Sequence, residues 1–311
     1  MADTTLCHLR SRFGRGTVRA LSGALVDLEF DLGGRVIRPL ASAPWGVLPP
    51  MADPQPAAHL TALGGEWPCV PFGRSSADPV KHGHGTDTDW HLIAAGPAQA
   101  TLAIDYPTGH AVRRLERTVT LSDDAPRVEF SLTIHATRAA TIPVGLHPIL
   151  AFPDHGTLRL TPAAHGAIRT APASLAPANA SLAPDQAIGP DGIARRRDGT
   201  TTCLWDQPGR QGEDLILVQN CAGGVEADDG TTLTRLTWEA SALPHLLIWI
   251  ANPGLGQEPR LKGFRGLGLE PVAAHFDATP AGQGLTLSPD RPTIIRYAID
   301  CRPSRPKEPR P

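Results

Sequence analysis

The chain has 311 residues, of which 41% are apolar, and its formal net charge is -2. This balance, with no Lys/Arg block on a folded segment, argues against nucleic-acid binding, and no apolar run approaches the roughly 20 residues of a membrane-spanning helix. The 31 glycines and 32 prolines favour many short strands joined by tight turns over a helical bundle.

In chain order, apolar and polar residues first alternate with period two at residues 26–30, 101–106, 112–121 and 128–134. This pattern is typical of half-buried strands and predicts an antiparallel meander. Residues 141–152 form a more continuous apolar run, which we expect to be buried on both sides.

Further strands are predicted in the second half, at residues 157–160, 215–219, 233–238, 245–251 and 266–269, followed by a pair at 284–288 and 293–299. Residues 162–201 are predicted to form long loops with small strands. The predicted fold is therefore all-β, a large antiparallel β-sandwich in which residues 1–300 form a single domain. Residues 301–311 are polar and rich in proline, and we expect a disordered tail there.

The cysteines are five in number, widely spaced and without a CxxC pair; they are Cys7, Cys69, Cys203, Cys221 and Cys301. Neither a zinc ribbon nor a disulfide framework is indicated, and a reduced, cytoplasmic setting is predicted. Residues 1–16 lack the apolar core of a signal peptide. We expect no metal, no cofactor and no membrane or nucleic-acid partner. The oligomeric state is left open.

The stretch from Gly64 to Trp90 reads GGEWPCVPFGRSSADPVKHGHGTDTDW. Its glycines and prolines exclude a regular helix. A long surface loop is predicted, which is where a rigid scaffold often carries its chemistry.

Three residues are candidates for a catalytic or binding role. His82 lies close to His84, but no further ligand spacing follows, so a metal site is not favoured. His147 lies in the most apolar run, where a histidine satisfied by a backbone carbonyl is the simpler interpretation. Glu270 ends an apolar strand before Pro271; it is either an exposed glutamate at the sheet rim or, if buried, a base with a raised pKa.

Four motifs in order resemble the aldose 1-epimerase (galactose mutarotase) family, particularly its divergent bacterial branch that includes hexose-6-phosphate mutarotases. They are GGEWPCVPFGR, His82-Gly83 with Trp90, Gly145-Leu146-His147-Pro148, and Ile248-Trp249 followed by Gly268-Leu269-Glu270-Pro271. The resemblance covers roughly residues 20–300. It implies the galactose mutarotase-like supersandwich fold and interconversion of the α and β anomers of an aldose without a cofactor.

The resemblance implies roles for individual residues. Glu270 corresponds to the general base and His147 to the general acid, while His82 corresponds to a histidine that orients the sugar and Arg74 to a substrate arginine. We expect these residues to line one cleft, with room for a sugar ring between Glu270 and His147, and we expect the carboxylate to raise the pKa of the imidazole. The indoles that could stack on a sugar face are Trp67, Trp90 and Trp249, although packing in the core is the commoner fate of a tryptophan.

The chain also departs from the family pattern. Thr86 stands where the family has an arginine, His84 replaces an aromatic residue, and Ile149-Leu150 replaces a Tyr-Phe pair. The family's substrate aspartate has no clear counterpart, and Asp206 and Asp214 both remain open. The alternative function is a carbohydrate-binding protein on the same fold without catalysis, which a surface-exposed Glu270 would favour.

Overall fold

A computed structural model describes residues 5–46, 56–153, 155–208, 211–255, 261 and 263–304. The first strands are β1 (Thr5–Arg10), β2 (Gly14–Arg19), β3 (Leu25–Asp31), β4 (Val36–Ile37), β5 (Pro68–Cys69), β6 (His91–Ala95), β7 (Gln99–Asp105), β8 (Val112–Leu121) and β9 (Arg127–Ala136). The middle strands are β10 (Ala140–Ile142), β11 (Gly145–Leu146), β12 (Ile149–Leu150), β13 (Leu158–Pro162), β14 (Ile168–Thr170), β15 (Ala187–Ile188), β16 (Ile193–Arg195), β17 (Thr201–Cys203) and β18 (Asp206–Gln207).

The last strands are β19 (Gly212–Val218), β20 (Gly224–Asp228), β21 (Thr232–Trp238), β22 (His245–Gly254), β23 (Phe264–Val272), β24 (Leu285–Leu287) and β25 (Thr293–Pro303). The helical elements that lie wholly within the described residues are α1 (Ala58–Thr61) and a 3-10 turn (His84–Thr86). Neither of them is long and apolar enough to cross a membrane.

The larger of the two main sheets, here called sheet I, has nine strands within the described residues, in the order β18-β13-β20-β21-β25-β9-β8-β7-β6. All of its pairings are antiparallel. Burial alternates along its central strands, as in β9, where Val128, Phe130, Leu132 and Ile134 face inward. The period-two pattern in the sequence therefore predicted these strands correctly, because only one face of sheet I joins the core.

Sheet II has the order β15-β14-β19-β22-β23-β11-β5, with β12 also paired to β23, again counting only described residues. Both of its faces are covered. Ile216, Ile248 and Leu269 point into the core shared with sheet I, while Leu217 and Leu247 belong to a second apolar cluster on the outer face. Burial on both faces explains the continuous apolar runs in these strands. The predicted all-β antiparallel sandwich is confirmed.

Two predicted details of the strand pattern are wrong. Residues 284–288 and 293–299 do not pair with each other, because β24 pairs with β10 while β25 lies between β9 and β21 in sheet I. In addition, β25 continues through Pro303 and so includes the first three residues of the predicted tail, since Thr232–Thr234 provide backbone partners there. Residues 305–311 lie outside the described residues.

The stretch from Gly64 to Trp90 is a surface loop only in part, contrary to the prediction, since residues 74–81 reach the surface apart from the buried Asp78. Residues 64–73 are buried throughout, and Trp67, Cys69 and Phe72 pack in the apolar cluster on the outer face of sheet II. Close backbone approach requires glycine at Gly65, which has a φ of 82° and where a Cβ would lie 2.3 Å from the carbonyl oxygen of Leu25. The glycines thus allow an irregular segment to pack inside the protein rather than outside it.

Candidate active site

A cavity of about 540 Å³ lies on the outer face of sheet II. Alternation along the strands places Glu213 and Leu215 of β19, Trp249 of β22 and Glu270 of β23 in its lining. Leu215 is opposite Trp249, which in turn is opposite Gly268, two residues before Glu270. Three adjacent strands therefore present their side chains to one space, which has the size of an ordinary small-molecule site.

Glu270 lies within β23, opposite Leu247, and not at the sheet rim as predicted. It is 2% exposed. Its carboxyl group folds over Gly268, where a Cβ would lie only 2.4 Å from Oε1 of Glu270. Burial raises the pKa of Glu270 well above its ordinary value, the nearby charge of Asp277 adds to this, and Lys81 opposes it weakly.

His147 follows β11, and its backbone N–H donates a 2.8 Å hydrogen bond to the carbonyl of Trp67. Its ring stacks on the indole of Trp67, with centroids 4.4 Å apart and 12° between the planes. Nε2 of His147 lies 3.4 Å from Oε1 of Glu270. Glu270 and His147 thus touch each other, and the expected gap for a sugar ring between them does not exist.

The environment also changes the charge expected on His147. Burial lowers the pKa of His147 to about 3, with the charge of His59 acting in the same direction. The prediction that Glu270 would raise this pKa is wrong, because burial outweighs the nearby charge that raises the pKa of His147, and that charge is the one on Asp277 and not on Glu270. At neutral pH the contact joins an uncharged imidazole to a carboxyl group with a raised pKa.

His82 lies beside His147, with ring centroids 5.4 Å apart in an edge-to-face arrangement. Its backbone has a φ of 65°, and Gly73 fixes the residue twice: Gly73 O accepts from the His82 N–H at 2.9 Å, and Gly73 N–H donates to Nδ1 at 3.2 Å. Because Nδ1 accepts, Nε2 carries the proton of the neutral ring. Burial, followed by the charge of Lys81, lowers the pKa of His82 well below its ordinary value.

Cationic side chains line one edge of the cavity. Arg74 is exposed there, and its backbone N–H donates to the carbonyl of Asp277 at 2.6 Å. Nζ of Lys81 forms a 2.7 Å ion pair with Oδ2 of Asp277. Burial alone would lower the pKa of Lys81, but the ion pair with Asp277 raises it overall. Arg74, His82, His147 and Glu270 therefore line the same cavity.

The three tryptophans proposed to stack on a sugar are separated by the fold. Trp249 lines the cavity and donates its indole N–H to Oε1 of Glu213 at 3.0 Å. Trp67 is 1% exposed and lies behind His147 rather than in the cavity lining. Trp90 packs in the core between the sheets, with its N–H bonded to the Gly85 carbonyl at 2.8 Å. The stacking role predicted for Trp67 and Trp90 is thus wrong, since packing covers both.

Neither aspartate left open for substrate binding reaches the cavity. Asp214 accepts hydrogen bonds from the Ser181 hydroxyl at 2.6 Å and the Leu182 N–H at 2.8 Å. Asp206 pairs with Arg159 at 3.1 Å on the surface. Besides Glu270, the carboxyl groups in the lining are those of Glu213 and Asp277. Alternation along β19 puts Glu213 on the face of Leu215 while Asp214 points the other way. Because β19 is buried on both faces, the sequence did not show which face lines the cavity.

A further histidine–carboxylate pair in this region was not predicted from the sequence. His59 of α1 lines the cavity, and its Nδ1 lies 2.6 Å from Oδ1 of Asp87. The His59 ring is edge-on to His82, with centroids 5.8 Å apart. Nothing in the sequence indicated this pair, because α1 has only four residues and is too short to show a helical period.

The positions that depart from the family pattern lie outside the cavity lining. Thr86 is buried and donates its hydroxyl to the carbonyl of His82 at 2.7 Å, so it supports the turn that holds His82. His84 packs against Tyr106, at 5.2 Å between ring centroids. Ile149 and Leu150 are core residues. Among the described residues, no group of three or more His, Cys, Asp or Glu is arranged to hold a metal ion.

No protein-family model and no curated protein matches the chain. Several solved structures match the chain. The Slr1438 protein from Synechocystis sp. PCC 6803 is 14% identical with a TM-score of 0.67, covering 98% of this chain and 97% of that one. A GalM/aldose epimerase homologue from C. elegans is 11% identical with a TM-score of 0.67, covering 98% and 100%. A galactose mutarotase-like protein from Lactobacillus casei ATCC 334 is 14% identical with a TM-score of 0.60, covering 95% and 99%. At such identities the likeness shows the fold.

Proposed function

We propose that this chain, which has the galactose mutarotase-like fold, is an aldose 1-epimerase that interconverts the α and β anomers of an aldose. The observation that carries the proposal is the contact between Glu270 and His147, buried together in a cavity of about 540 Å³. Two titratable groups whose environments push their pKa values far from normal, side by side in a cavity, are typical of acid–base catalysis.

Glu270 and His147 hold one proton between them in the resting state. Because burial raises the pKa of Glu270 and lowers that of His147 to about 3, this proton lies on the carboxyl group. When the pyranose opens, the proton of the C1 hydroxyl passes to His147 as the C1–O5 bond breaks and C1=O1 forms, and Glu270 gives its proton to O5. The C1–C2 bond then rotates.

Closure of the ring on the other face reverses both proton transfers. The imidazolium of His147 returns its proton to O1, while the Glu270 carboxylate takes the proton of the O5 hydroxyl. Glu270 acts as the base in this half of the cycle and His147 acts as the acid. The atoms are exchanged relative to the family resemblance, which implies that Glu270 takes the proton of the C1 hydroxyl and that His147 protonates O5. Each group serves once as acid and once as base, and the pair ends with the proton it began with.

Direct contact between the two groups is compatible with this chemistry. O1 and O5 are both bonded to C1, so the oxygens that exchange protons are neighbours. A pair 3.4 Å apart can therefore serve both from one side of the sugar, and no gap of a ring's width is needed. His82, against His147, and Arg74, at the cavity edge, are proposed to orient the sugar, with Trp249 against an apolar face of the ring.

The test is to follow freshly dissolved α-D-glucose and α-D-galactose by polarimetry and by NMR exchange spectroscopy, with and without the purified protein. We expect anomer exchange faster than the spontaneous rate, in proportion to protein concentration and unaffected by a chelator. Sugar binding without faster exchange would contradict the proposal and support the carbohydrate-binding alternative. A cytoplasmic location remains part of the proposal and rests on the cysteine pattern.

A further inference from the structure

The proposed reaction at C1 leaves one buried acid–base pair of the cavity unused. Oδ1 of Asp87 lies 2.6 Å from Nδ1 of His59 and accepts a 2.9 Å hydrogen bond from the backbone N–H of the same residue. His59 is 6% exposed. Burial alone would raise the pKa of Asp87, but these hydrogen bonds lower it below its ordinary value, so Asp87 is ionised at neutral pH.

The pairing with Asp87 determines which nitrogen of His59 can meet a ligand. Nδ1 is held by the carboxylate and carries a proton, which leaves Nε2 as the nitrogen that can accept a hydrogen bond, or donate one if the ring takes up a second proton. Within the described ranges, Nε2 has no hydrogen-bond partner from the protein, although the residue lines the cavity. A carboxylate that fixes one imidazole nitrogen so that the other is presented to a substrate is a recurrent arrangement in active sites.

The position of His59 separates it from the reaction at C1. Its ring lies against His82 at 5.8 Å between centroids, and His82 lies against His147 at 5.4 Å. A sugar with C1 at Glu270 and His147 must place its remaining hydroxyl groups against other parts of the lining. His59 is a polar side chain in that lining, and its ring lies edge-on to that of His82.

We propose that His59, held by Asp87, binds a hydroxyl group of the sugar other than the one at C1 and thereby selects which aldoses the cavity accepts. This rests on the proposed function, since it takes C1 to lie at Glu270 and His147. His59 touches the sugar, and Asp87 is a positioning residue that acts through it.

Two substitutions of His59 separate this role from a purely structural one. His59→Asn keeps an amide near the position of Nδ1, so it can still contact Asp87, but it removes the far nitrogen. His59→Gln places an amide near the position of Nε2 and disturbs the contact with Asp87. We expect His59→Asn to raise KM about tenfold, as for the loss of one hydrogen bond to substrate, with kcat little changed, and His59→Gln to restore most of the affinity. A structural role requires the reverse order, which would overturn the inference.

The contacted hydroxyl can be identified with D-glucose and its 2-, 3-, 4- and 6-deoxy analogues as probes. The analogue that lacks the contacted hydroxyl should have the same KM with the wild type and with His59→Asn, whereas the other sugars should lose affinity in the variant. Asp87→Asn should raise KM for the same sugars and spare the same analogue. His84→Asn, outside the cavity lining, is the control and should leave KM unchanged. Equal losses for every analogue would contradict the proposal.

Failure of the inference can be distinguished from failure of the proposed function. If the wild type exchanges anomers and His59→Asn has the wild-type KM for every probe, only the inference fails. If the wild type exchanges no anomers, the proposed function fails, and binding of the same sugars, followed by tryptophan fluorescence, decides the role of His59. Weaker sugar binding by His59→Asn than by the wild type then supports the binding role of His59. Equal binding by the two proteins, or no binding by either, overturns that role.

Discussion

Two buried glutamates in different parts of the fold can be compared directly. Glu66 lies against the inner face of sheet I and is 0% exposed, while Glu270 lies on the outer face of sheet II and is 2% exposed. Burial raises the pKa of both carboxyl groups. They differ in their partners, and the partners determine what each carboxyl group can do.

Glu66 has partners for both of its oxygens. Arg117 of β8 donates to Oε2 and Tyr297 of β25 donates to Oε1 at 2.6 Å, so the charge and the hydrogen bonds of the carboxylate are satisfied within the core. In the part of the chain that the structure describes, no Lys or Arg contacts Glu270. Its neighbour is an uncharged His147 at 3.4 Å, and a cavity lies beside it. A satisfied buried carboxylate holds the structure together, whereas an unsatisfied one at a cavity is available for chemistry.

The largest effect is expected from breaking the Glu66 site. Arg117→Met would leave the buried carboxylate without its cation, and we expect a loss of about 3–5 kcal/mol in the free energy of unfolding, measured by denaturant unfolding. The double variant Glu66→Leu/Arg117→Met, which removes both charges, should recover much of this loss. The folded fraction of each variant should still accelerate anomer exchange. An Arg117→Met protein as stable as the wild type would contradict the structural role.

The counterpart change at the cavity should act mainly on activity. Glu270→Gln keeps the shape of the side chain but removes the group that exchanges protons, and we expect anomer exchange to fall by about 10²-fold or more. His147→Asn should cause a similar loss, and the double variant should lose less than the product of the two because the pair acts as one unit. NMR exchange spectroscopy gives the rates and calorimetric titration gives sugar affinity, which should change far less. Wild-type rates in Glu270→Gln would rule out the mechanism.

A smaller loss of activity is expected from the glycine that makes room for Glu270. In Gly268→Ala the new methyl group would lie 2.4 Å from Oε1 of Glu270, so the carboxyl group must move, and a shift of this kind should lower the rate by about 10- to 100-fold. Gly266→Ala is the matched control on the same strand and face, where the methyl group meets Ile149 at 2.7 Å and not Glu270. It should cost about 1–3 kcal/mol of stability with its rate per folded molecule unchanged. Equal rates in the two variants would argue against the positioning of Glu270 by Gly268.

The last expected effect is a pH dependence of stability with opposite signs for the two members of the pair. His147 takes up a proton at its ordinary pKa of 6.5 when unfolded but only at about 3 when folded, so the unfolded state binds more protons between these values and stability falls as the pH falls from 6.5 to about 3. Glu270 has a folded pKa well above its ordinary 4.5, so the folded state retains the proton and stability falls as the pH rises above 4.5.

These slopes can be measured as Tm against pH for the wild type, His147→Asn and Glu270→Gln. His147→Asn should lose less stability than the wild type on the acid side, and Glu270→Gln should lose less on the side above pH 4.5. Parallel curves for all three proteins would mean that neither group titrates differently in the folded state.

Much of the fold and part of the site were predictable from local patterns. Alternation along β8 and β9 predicted strands of sheet I, since a strand with one buried face repeats every two residues. The resemblance to the aldose 1-epimerase family implied Arg74, His82, His147 and Glu270 as site residues, and all four line one cavity. The roles of these residues remain proposals, because lining a cavity is a matter of position and not of activity.

Only the tertiary structure decided how each residue is surrounded. Glu213, and not Asp214, enters the cavity because β19 pairs with β22 in a register that puts Glu213 on the face of Trp249. Trp90 is covered in the core, and His59 reaches the cavity from a separate segment. The charge states of Glu270 and His147 depend on how completely distant segments exclude water from them. Local sequence determines the period of a strand, whereas burial and partners arise from segments far apart in the chain.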